Sequence, residues 1–336
     1  MQSKPIVTIT MGDPAGVGPE ITAKALAREE VKACCRPLLI GDAALMAEAV
    51  ALVSGSLELN VITDPTAARF DPGHPDIIDL DNIDAATLKR GEVSAEAGRA
   101  SVDYIRRAVE IVIAGCADAV VTSPINKAAL KRAGIPYIGH TELLADLTGE
   151  QRVTTMLATT DLRVVHVTRH VPFKDIAKHI TRDNVLETIR LTDSGLMRMG
   201  LPKPHLAVAA LNPHGGDEGL MGSEEIDEIA PAVAAAQAEG ILASGPIPAD
   251  SVFFRAIRGE FDAVICMYHD QGHIPIKTHG FEQSVTVTLG LPIVRTSVDH
   301  GTAFDIAWQG IAHEVSQVEA IRLAAQMAGQ RAQELD

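Results

Sequence analysis

One stretch decides the fold of this 336-residue chain: Ala263-Val264-Ile265-Cys266-Met267-Tyr268-His269-Asp270-Gln271-Gly272-His273. It opens with five apolar residues, which is typical of a strand buried on both faces. An imidazole, a carboxylate, an amide and a glycine then follow closely. Open α/β sheets present side chains to a ligand from the carboxyl ends of their strands. The stretch therefore predicts a buried strand followed by a functional loop, although a polar turn with a satisfied histidine would have the same composition.

Two further histidines follow apolar strands in the same way. His170 comes after the predicted strand Arg163–Thr168, and His214 comes after His205–Ala210. In a parallel sheet, such strand ends converge on one crevice. Three neutral imidazoles with an open fourth position are typical of a catalytic divalent-metal site. We therefore predict that a metal ion (Zn, Co, Mg or similar) is held by residues distant in sequence: His170, His214 and His269.

Four residues carry hydrogen-bond donors suited to phosphate or carboxylate. Their places among the predicted strands and helices put them beside the three histidines. His140 and Thr141 open a predicted helix, Lys277 closes the loop after His269, and Arg295 lies in a predicted strand. Each has a plainer interpretation, as solvated surface charge or as a helix cap. The carboxylates predicted to orient other groups are Asp250 and Asp270.

Strands alternate with helices along the whole chain, which favours mainly parallel βαβ units. The N-terminal strand leads into Gly12-Asp13-Pro14-Ala15-Gly16-Val17-Gly18-Pro19-Glu20. The glycine spacing there differs from the G-x-G-x-x-G of a Rossmann dinucleotide loop. The loop predicts either close approach of an anion to a helix start or a tight structural turn.

Composition narrows the partners. The formal net charge of −15 argues against nucleic acid or an anionic membrane as a partner. No apolar run approaches the roughly 20 residues needed to cross a bilayer, and no secretory segment is evident at the N-terminus. The cysteines form no C-x-x-C pair, so we expect reduced thiols and a cytoplasmic protein; they are Cys34, Cys35, Cys116 and Cys266.

These residues give the chain a resemblance, over essentially its whole length, to the 4-hydroxythreonine-4-phosphate dehydrogenase family. The shared blocks are Gly12–Glu20, Gly139–Glu142, Leu211–His214, Met267–Gly272 and Arg295–Ala303. The resemblance implies a homodimer in which His170, His214 and His269 hold the metal, one of them coming from the partner subunit. It also implies substrate contacts from His140, Thr141, Lys277 and Arg295.

The chain departs from the family at Thr286, where members usually have a substrate-binding asparagine. The segments His269–Lys277 and Phe304–Trp308 are more similar to the branch that acts on D-threonate or D-erythronate 4-phosphate. The resemblance therefore implies an NAD- and metal-dependent oxidation and decarboxylation of a four-carbon 4-phospho-3-hydroxy acid, giving dihydroxyacetone phosphate and CO₂. Alternatives are the 4-hydroxythreonine-4-phosphate dehydrogenase of pyridoxal phosphate biosynthesis and the terephthalate cis-dihydrodiol dehydrogenase.

Two motifs also resemble the wider isocitrate/isopropylmalate dehydrogenase group: the Gly12–Glu20 block and His300–Ala307. In that group the second loop surrounds the adenosine half of NAD. The resemblance implies a site for NAD (or NADP) that involves Gly12, Asp13, His300, Gly301, Thr302 and Asp305.

The expected fold is two α/β/α domains with mainly parallel sheets. We place the first at residues 1–128 plus 296–336 and the second at 129–295, with most metal and substrate residues in the second. The active site is expected in the cleft and at the dimer interface. Two other classes stay open from the residues alone: a two-lobed small-molecule binding protein and a metal-dependent hydrolase.

Overall fold

The computed structural model describes residues 4–53, 55 and 57–335, in which strands and helices alternate as the sequence predicts. The strands in chain order are β1 (Ile6–Thr10), β2 (Arg36–Gly41), β3 (Asn60–Ile62), β4 (Asp76–Asp79), β5 (Ala119–Thr122), β6 (Thr154–Ala158), β7 (Arg163–His166), β8 (Leu206–Ala209), β9 (Ala243–Ile247), β10 (Ala263–Cys266), β11 (Val285–Leu289) and β12 (Val294–Val298). The helices are α1 (Gly18–Ala27), α2 (Glu29–Cys34), α3 (Ala43–Val53), α4 (Ala95–Ile113), α5 (Lys127–Arg132), α6 (His140–Thr148), α7 (Arg182–Arg198), α8 (Ala230–Ala238), α9 (Ala249–Ile257), α10 (His269–Gly280) and α11 (Val315–Leu335). In this described part of the chain, no helix is both long and apolar enough to cross a membrane.

The chain divides into two units. The first comprises the described residues of Met1–Gln151 and Leu291–Asp336, and the second is Arg152–Gly290. These bounds differ from the expected changes at 128/129 and 295/296. Helices α5 and α6 pack on α4, and β12 pairs with β5. Residues 129–151 and 291–295 therefore belong to the first unit, together with His140, Thr141 and Arg295.

In the first unit the strands are all parallel, in the order β3-β4-β2-β1-β5-β12. Strand β1 lies between β2 and β5, and its residues from Val7 to Thr10 are buried. Helix α4 packs one face on the core. The five apolar residues that helical spacing puts on one side of it are all buried: Ala100, Tyr104, Ala108, Ile111 and Val112. Apolar runs without alternation thus give central parallel strands, as expected for a sheet covered on both faces.

In the second unit the strand order is β11-β6-β7-β10-β8-β9. Strands β7, β10, β8 and β9 are parallel, whereas β6 pairs antiparallel with both β7 and β11. The β6–β7 pair is the hairpin that the sequence predicts. Because β7, β10 and β8 are parallel neighbours, their carboxyl ends lie side by side at one edge of this sheet.

The segment after β10 differs from its sequence prediction. Residues His269–Gly280 form helix α10 rather than a loop, with Tyr268 at its N-cap and Pro275 inside it. Proline inside a helix usually argues for a break, so the helix was not expected. Strand β9 and helix α5 were also not predicted, since each is short and β9 contains a glycine and a proline.

Two glycines in helices are expected to respond in opposite ways to replacement by alanine. The difference comes from the contact between α4 and α5, in which only the first of them lies. A Cβ on Gly98 of α4 would lie 2.5 Å from the Ala129 carbonyl oxygen, whereas a Cβ on Gly329 of α11 would meet nothing within 4 Å. Alanine is a better helix former than glycine by about 1 kcal/mol, but overpacking costs about 1–3 kcal/mol. We expect Gly98→Ala to lower the free energy of unfolding by about 1–3 kcal/mol, and Gly329→Ala to raise it by about 0.5–1 kcal/mol. Urea denaturation of both variants checks this, and stabilisation by Gly98→Ala would contradict the close packing.

Candidate active site

The three predicted metal ligands follow neighbouring parallel strands of the second unit. His170 lies beyond β7, His214 beyond β8, and His269 begins α10 directly after β10. The strand order puts β10 between β7 and β8. The sequence prediction that these histidines follow strands at one sheet edge therefore agrees with the topology.

His170 and His269 are brought together. Their ring centroids are 6.1 Å apart. Two imidazoles that bind one zinc ion at Zn–N distances near 2.0–2.1 Å have centroids roughly 5–6 Å apart. The pair therefore fits two ligands of one divalent ion with a small movement of either ring.

Asp270 fixes one nitrogen of His269. The His269 Nδ1 lies 2.7 Å from Asp270 Oδ1. A carboxylate oxygen accepts, so Nδ1 donates and Nε2 is left to bind a ligand. A carboxylate that accepts a hydrogen bond from one ring nitrogen of a metal-binding histidine sets the tautomer of that histidine. The orienting role predicted for Asp270 thus has a geometric basis.

The described residues of the single chain do not complete a metal site. Within residues 4–53, 55 and 57–335, no group of three or more His, Cys, Asp or Glu side chains lies where it could hold a metal ion. The structure thus pairs His170 with His269 and does not join His214 to them in a three-ligand group. The predicted set of three stays a prediction.

His214 lies in a turn with unusual backbone geometry. Residues 214–218 all have positive φ, including the non-glycine residues His214 (55°), Asp217 (44°) and Glu218 (55°). Such a conformation costs about 1–2 kcal/mol for each residue with a Cβ. The surrounding structure must therefore hold this turn in place.

Glu225 anchors the residues that lead into this turn. Its Oε1 accepts the backbone N–H groups of Leu211 and Asn212, each at 2.7 Å, and its Oε2 accepts Asn212 Nδ2 at 2.9 Å. Burial raises the pKa of Glu225, but the donors from Asn212 and Leu211 outweigh it, so the net pKa is lowered. The buried carboxylate thus stays charged and anchors the start of the His214 turn. Sequence reasoning missed this residue, since a glutamate near a helix start resembles an ordinary dipole partner.

In the first unit, Arg295 and His140 form a cationic, buried corner. Arg295 is only 2% exposed, and its Nη2 donates to Thr122 Oγ1 at 2.5 Å. Burial lowers the pKa of Arg295 to about 9, so the guanidinium is charged at neutral pH. A charge in a desolvated position interacts more strongly with an anion than it does in water. A bound anion would therefore be stabilised here.

His140 is kept neutral in this corner. Burial, and then the positive charge of Arg295, lower its pKa well below the usual value, although a bond to the Ser123 backbone raises it. Its Nε2 is buried and has no hydrogen-bond partner among the described residues. Helix α6 begins at His140, with Gly139 as the N-cap rather than Thr141, so Thr141 lies in the first turn. The free backbone amides of that turn favour an anion.

The other predicted substrate residues lie in the second unit. Lys277 is on α10, with its Nζ 4.9 Å from the centre of the Phe281 ring. Thr286 lies on β11, half-buried, opposite Leu157 of β6. Asp250 is exposed in the first turn of α9. The roles expected of these three residues stay predictions.

The two loops expected to bind the cofactor are joined to each other within the first unit. The Val17 N–H donates to the Thr302 carbonyl oxygen at 3.0 Å. A Cβ on Gly16 would lie 2.9 Å from the Thr302 Cβ, so only glycine permits this approach. His300, Gly301 and Asp305 are exposed on the second loop. The structure thus brings the two sequence motifs together at the start of α1.

Asp13 lies at the centre of the first loop. Its Oδ1 accepts the Ala15 N–H at 2.9 Å, while its Oδ2 is buried and has no hydrogen-bond partner in the described part of the chain. Burial raises the pKa of Asp13 to about 6, against a smaller lowering by the Ala15 N–H.

Two more histidines, His166 and His273, pack beside His269. The ring centroids of His269 and His273 are 3.6 Å apart, and those of His166 and His273 are 4.7 Å apart. Sequence reasoning did not assign either a role. His273 stands four residues after His269, and this helical spacing was the available signal, hidden because the segment was predicted as a loop.

Comparison with known proteins places this geometry in context. The family model described as "Pyridoxal phosphate biosynthetic protein PdxA" matches residues 33–324. A "Putative D-threonate 4-phosphate dehydrogenase" of Symbiobacterium thermophilum is 52% identical over 328 residues, covering 98% of each chain. A "4-hydroxythreonine-4-phosphate dehydrogenase" of Desulforapulum autotrophicum is 47% identical, covering 97% of this chain and 96% of that one. The crystal structure of a 4-hydroxythreonine-4-phosphate dehydrogenase from Burkholderia phymatum has a TM-score of 0.87 at 47% identity, covering 97% of this chain and 99% of that one.

The raised pKa of Asp13 predicts a change of stability with pH. A carboxyl whose pKa is near 6 when folded and 3.8 as its ordinary value stabilises the fold below pH 3.8, and this contribution is lost as the pH rises to about 6. The shift corresponds to about 2–3 kcal/mol. We expect the free energy of unfolding of the wild type, minus that of Asp13→Asn, to fall by about this amount between pH 3.5 and 7. Denaturant titrations at several pH values measure it, and a difference that stays flat would show that Asp13 is not so perturbed.

The Glu225 anchor predicts a second outcome. In Glu225→Gln, an amide group would replace one of the two acceptor oxygens and face the Asn212 Nδ2. We therefore expect the free energy of unfolding to fall by about 2–3 kcal/mol and the backbone amides of residues 211–222 to exchange faster. Glu224→Gln is the matched control, because Glu224 accepts one bond from the same Asn212 Nδ2 at 2.7 Å. That control is expected to lose less than about 1 kcal/mol. Equal effects in the two variants, measured by hydrogen exchange and denaturation, would remove the anchoring role.

Proposed function

The chain belongs to the PdxA family of pyridoxal phosphate biosynthetic proteins, and on that premise we propose its reaction. The proposed activity is NAD-dependent, divalent-metal-dependent oxidation and decarboxylation of a four-carbon 4-phospho-3-hydroxy acid. D-threonate or D-erythronate 4-phosphate is the favoured substrate, with dihydroxyacetone phosphate and CO₂ as products. The observation that carries the proposal is the facing pair His170 and His269 at the ends of parallel strands.

The proposed reaction has two steps, an oxidation and then a decarboxylation. The C3 carbinol loses a hydride to the nicotinamide of NAD⁺ and its hydroxyl proton to a base, which gives a 3-keto acid. The bond from C2 to the carboxylate then breaks, CO₂ leaves, and the enolate takes a proton at C2. A divalent metal supplies Lewis-acid polarisation of the oxygen on which negative charge develops.

His170, His214 and His269 are the proposed ligands of that metal. Asp270 holds His269 with its Nε2 outward, and Glu225 fixes the turn that carries His214. Neutral imidazoles of this kind suit Zn, Co, Ni or Fe. The residues of this chain therefore orient the ligands before any ion binds.

The anionic groups of the substrate are the proposed partners of Arg295, His140, Thr141 and Lys277. Arg295 brings a buried positive charge, and the first turn of α6 brings backbone donors. Neutral His140 can exchange a hydrogen bond through Nε2 without adding a second positive charge. Binding through such fixed groups would hold the carbinol hydrogen against the nicotinamide.

The proposed site of NAD is the joined pair of loops in the first unit. Thr302 links the two loops through its carbonyl oxygen and accepts Asn126 Nδ2 at its Oγ1, 3.2 Å away. We propose that Gly12, Asp13, His300, Gly301, Thr302 and Asp305 contact the cofactor.

A homodimer is part of the proposal. Large apolar side chains are exposed close in sequence to the proposed ligands: Phe173 is 79% exposed, three positions after His170, and Leu220 is 87% exposed, six positions after His214. Ile274 and Phe281 on α10 are also exposed. Apolar groups of this size next to functional residues are typical of an interface. A partner subunit that covers them would also bring in the third metal ligand.

Thr286 carries the substrate preference. 4-Hydroxythreonine 4-phosphate has a 2-amino group, normally cationic, where a sugar acid has a neutral hydroxyl. Threonine offers a single hydroxyl where asparagine would offer a carbonyl oxygen and two donors. A lost buried hydrogen bond is worth about 0.5–1.5 kcal/mol, so preference between the two substrates can shift by about tenfold.

One experiment tests the activity and the substrate together. We expect the purified enzyme with Co²⁺ or Zn²⁺ to reduce NAD⁺ at least about tenfold more efficiently, by kcat/KM, with D-threonate or D-erythronate 4-phosphate than with 4-hydroxythreonine 4-phosphate. Thr286→Asn should narrow that ratio. NADH absorbance, release of CO₂ and bound metal are the measurements.

The controls separate the alternatives. His170→Ala, His214→Ala and His269→Ala should each lose bound metal and activity while remaining folded. A clear preference for the amino acid would overturn the sugar-acid assignment and leave the metal and NAD chemistry in place. Phosphate release without NAD would point to a hydrolase, and oxidation of a terephthalate dihydrodiol to that relative's activity. Tight ligand binding without turnover of any acid would favour a binding protein.

A further inference from the structure

Three imidazoles are grouped at the start of α10 in the second unit. The His269 and His273 rings are nearly parallel, with centroids 3.6 Å apart and an angle of 10° between their planes. His166, the last residue of β7, has its centroid 4.7 Å from that of His273 and 6.2 Å from that of His269. These distances place His166 to one side of the stacked pair, where it contacts His273.

The middle ring is itself held. The Nδ1 of His273 lies 3.0 Å from the His269 carbonyl oxygen and 3.3 Å from His166 Nε2. A carbonyl oxygen only accepts, so Nδ1 of His273 is the donor. His166 is 3% exposed. The contacts with the His269 carbonyl oxygen and with His166 therefore hold the His273 ring beside His269.

Gly272, which has no side chain, leaves room for His166 beneath the first turn of α10. A Cβ on Gly272 would run into His166 Nε2 and would lie 2.9 Å from Cys266 Sγ. Glycine at this position therefore lets the first turn of α10 rest directly on His166. The buried histidine and the glycine fit as a unit beneath the helix.

Asp270 alone is a weak support for His269. It binds His269 Nδ1, but its carboxylate is 69% exposed. A single hydrogen bond to a solvated side chain is a weak restraint on rotation of the ring about its Cβ–Cγ bond. The face of the His273 ring restricts this rotation, because a turned His269 ring would collide with it.

We propose that His273, backed by His166, is a positioning residue that fixes the plane of the His269 ring for metal binding. The inference rests on the proposed function, because it takes His269 as a ligand. Outer-shell groups that orient a metal-binding histidine typically change metal affinity by about 10–100-fold. His273 and His166 would act through His269 and need no contact with the ion.

The test is a titration of the full-length chain with Co²⁺ against a competing chelator, followed by the visible d–d absorption of the bound ion. His273→Leu, which keeps bulk without a flat ring, should weaken Co²⁺ binding by about 10–100-fold and change the absorption band. His273→Ala should do the same, and it checks that the effect does not depend on leucine packing. His273→Phe keeps a flat ring and should return the affinity to within about threefold of the wild type.

His279→Ala is the matched control. His279 lies on the same helix and bonds Asp161 Oδ1 through its Nε2 at 2.6 Å, and its removal should leave Co²⁺ affinity unchanged. Wild-type affinity in both His273→Leu and His273→Ala would overturn the positioning role, as would a Phe variant no better than the Leu variant. Absence of Co²⁺ binding in the wild type would overturn the metal assignment, and this inference with it. Circular dichroism confirms that each variant is folded.

Discussion

Complete burial of the central strands is the constraint on which the rest of the structure depends. Every residue from Ala263 to Cys266 is fully buried, with both neighbours of β10 parallel to it. A strand in that position has no solvent-facing side on which to carry a polar group. Polar chemistry must therefore begin where the strand stops, which is where His269 and Asp270 lie. The same reasoning explains why His170 and His214 follow β7 and β8.

In the first unit, by contrast, a charged side chain lies within a buried strand. Arg295 lies within β12, among buried residues, and its guanidinium reaches Thr122 of β5. Desolvation there lowers the pKa of both Arg295 and His140. The buried charge thus belongs to the first unit, and the strand-end histidines belong to the second.

Local pattern was enough to predict most strands, most helices and the strand-end histidines. The β6–β7 hairpin follows from two β-rich runs around Thr160-Asp161, and the buried face of α4 follows from helical spacing. What could not be predicted depends on contacts between distant residues. His166 lies 107 positions from His273, and Glu225 acts on the turn of His214 from a different element. Helix α10 contains Pro275, which is disfavoured inside a helix, and packing on β7 and β10 outweighs that local propensity. The observed boundaries between the two units differ from the predicted ones, because the contacts of α6 with α4 likewise could not be predicted from the sequence.

The division of the chain also bears on the order in which it folds during synthesis. The second unit is continuous, from Arg152 to Gly290, so all of its strands leave the ribosome together. The first unit needs β12 to pair with β5, although Arg295 and Val120 are separated by the entire second unit. Closing so long a loop is entropically costly and slow compared with local pairing. The part of the first unit that is made early must therefore wait for β12 (Val294–Val298), with the edge of β5 unpaired in the meantime. The nascent chain thus carries an unpaired parallel strand edge while the whole second unit is being made.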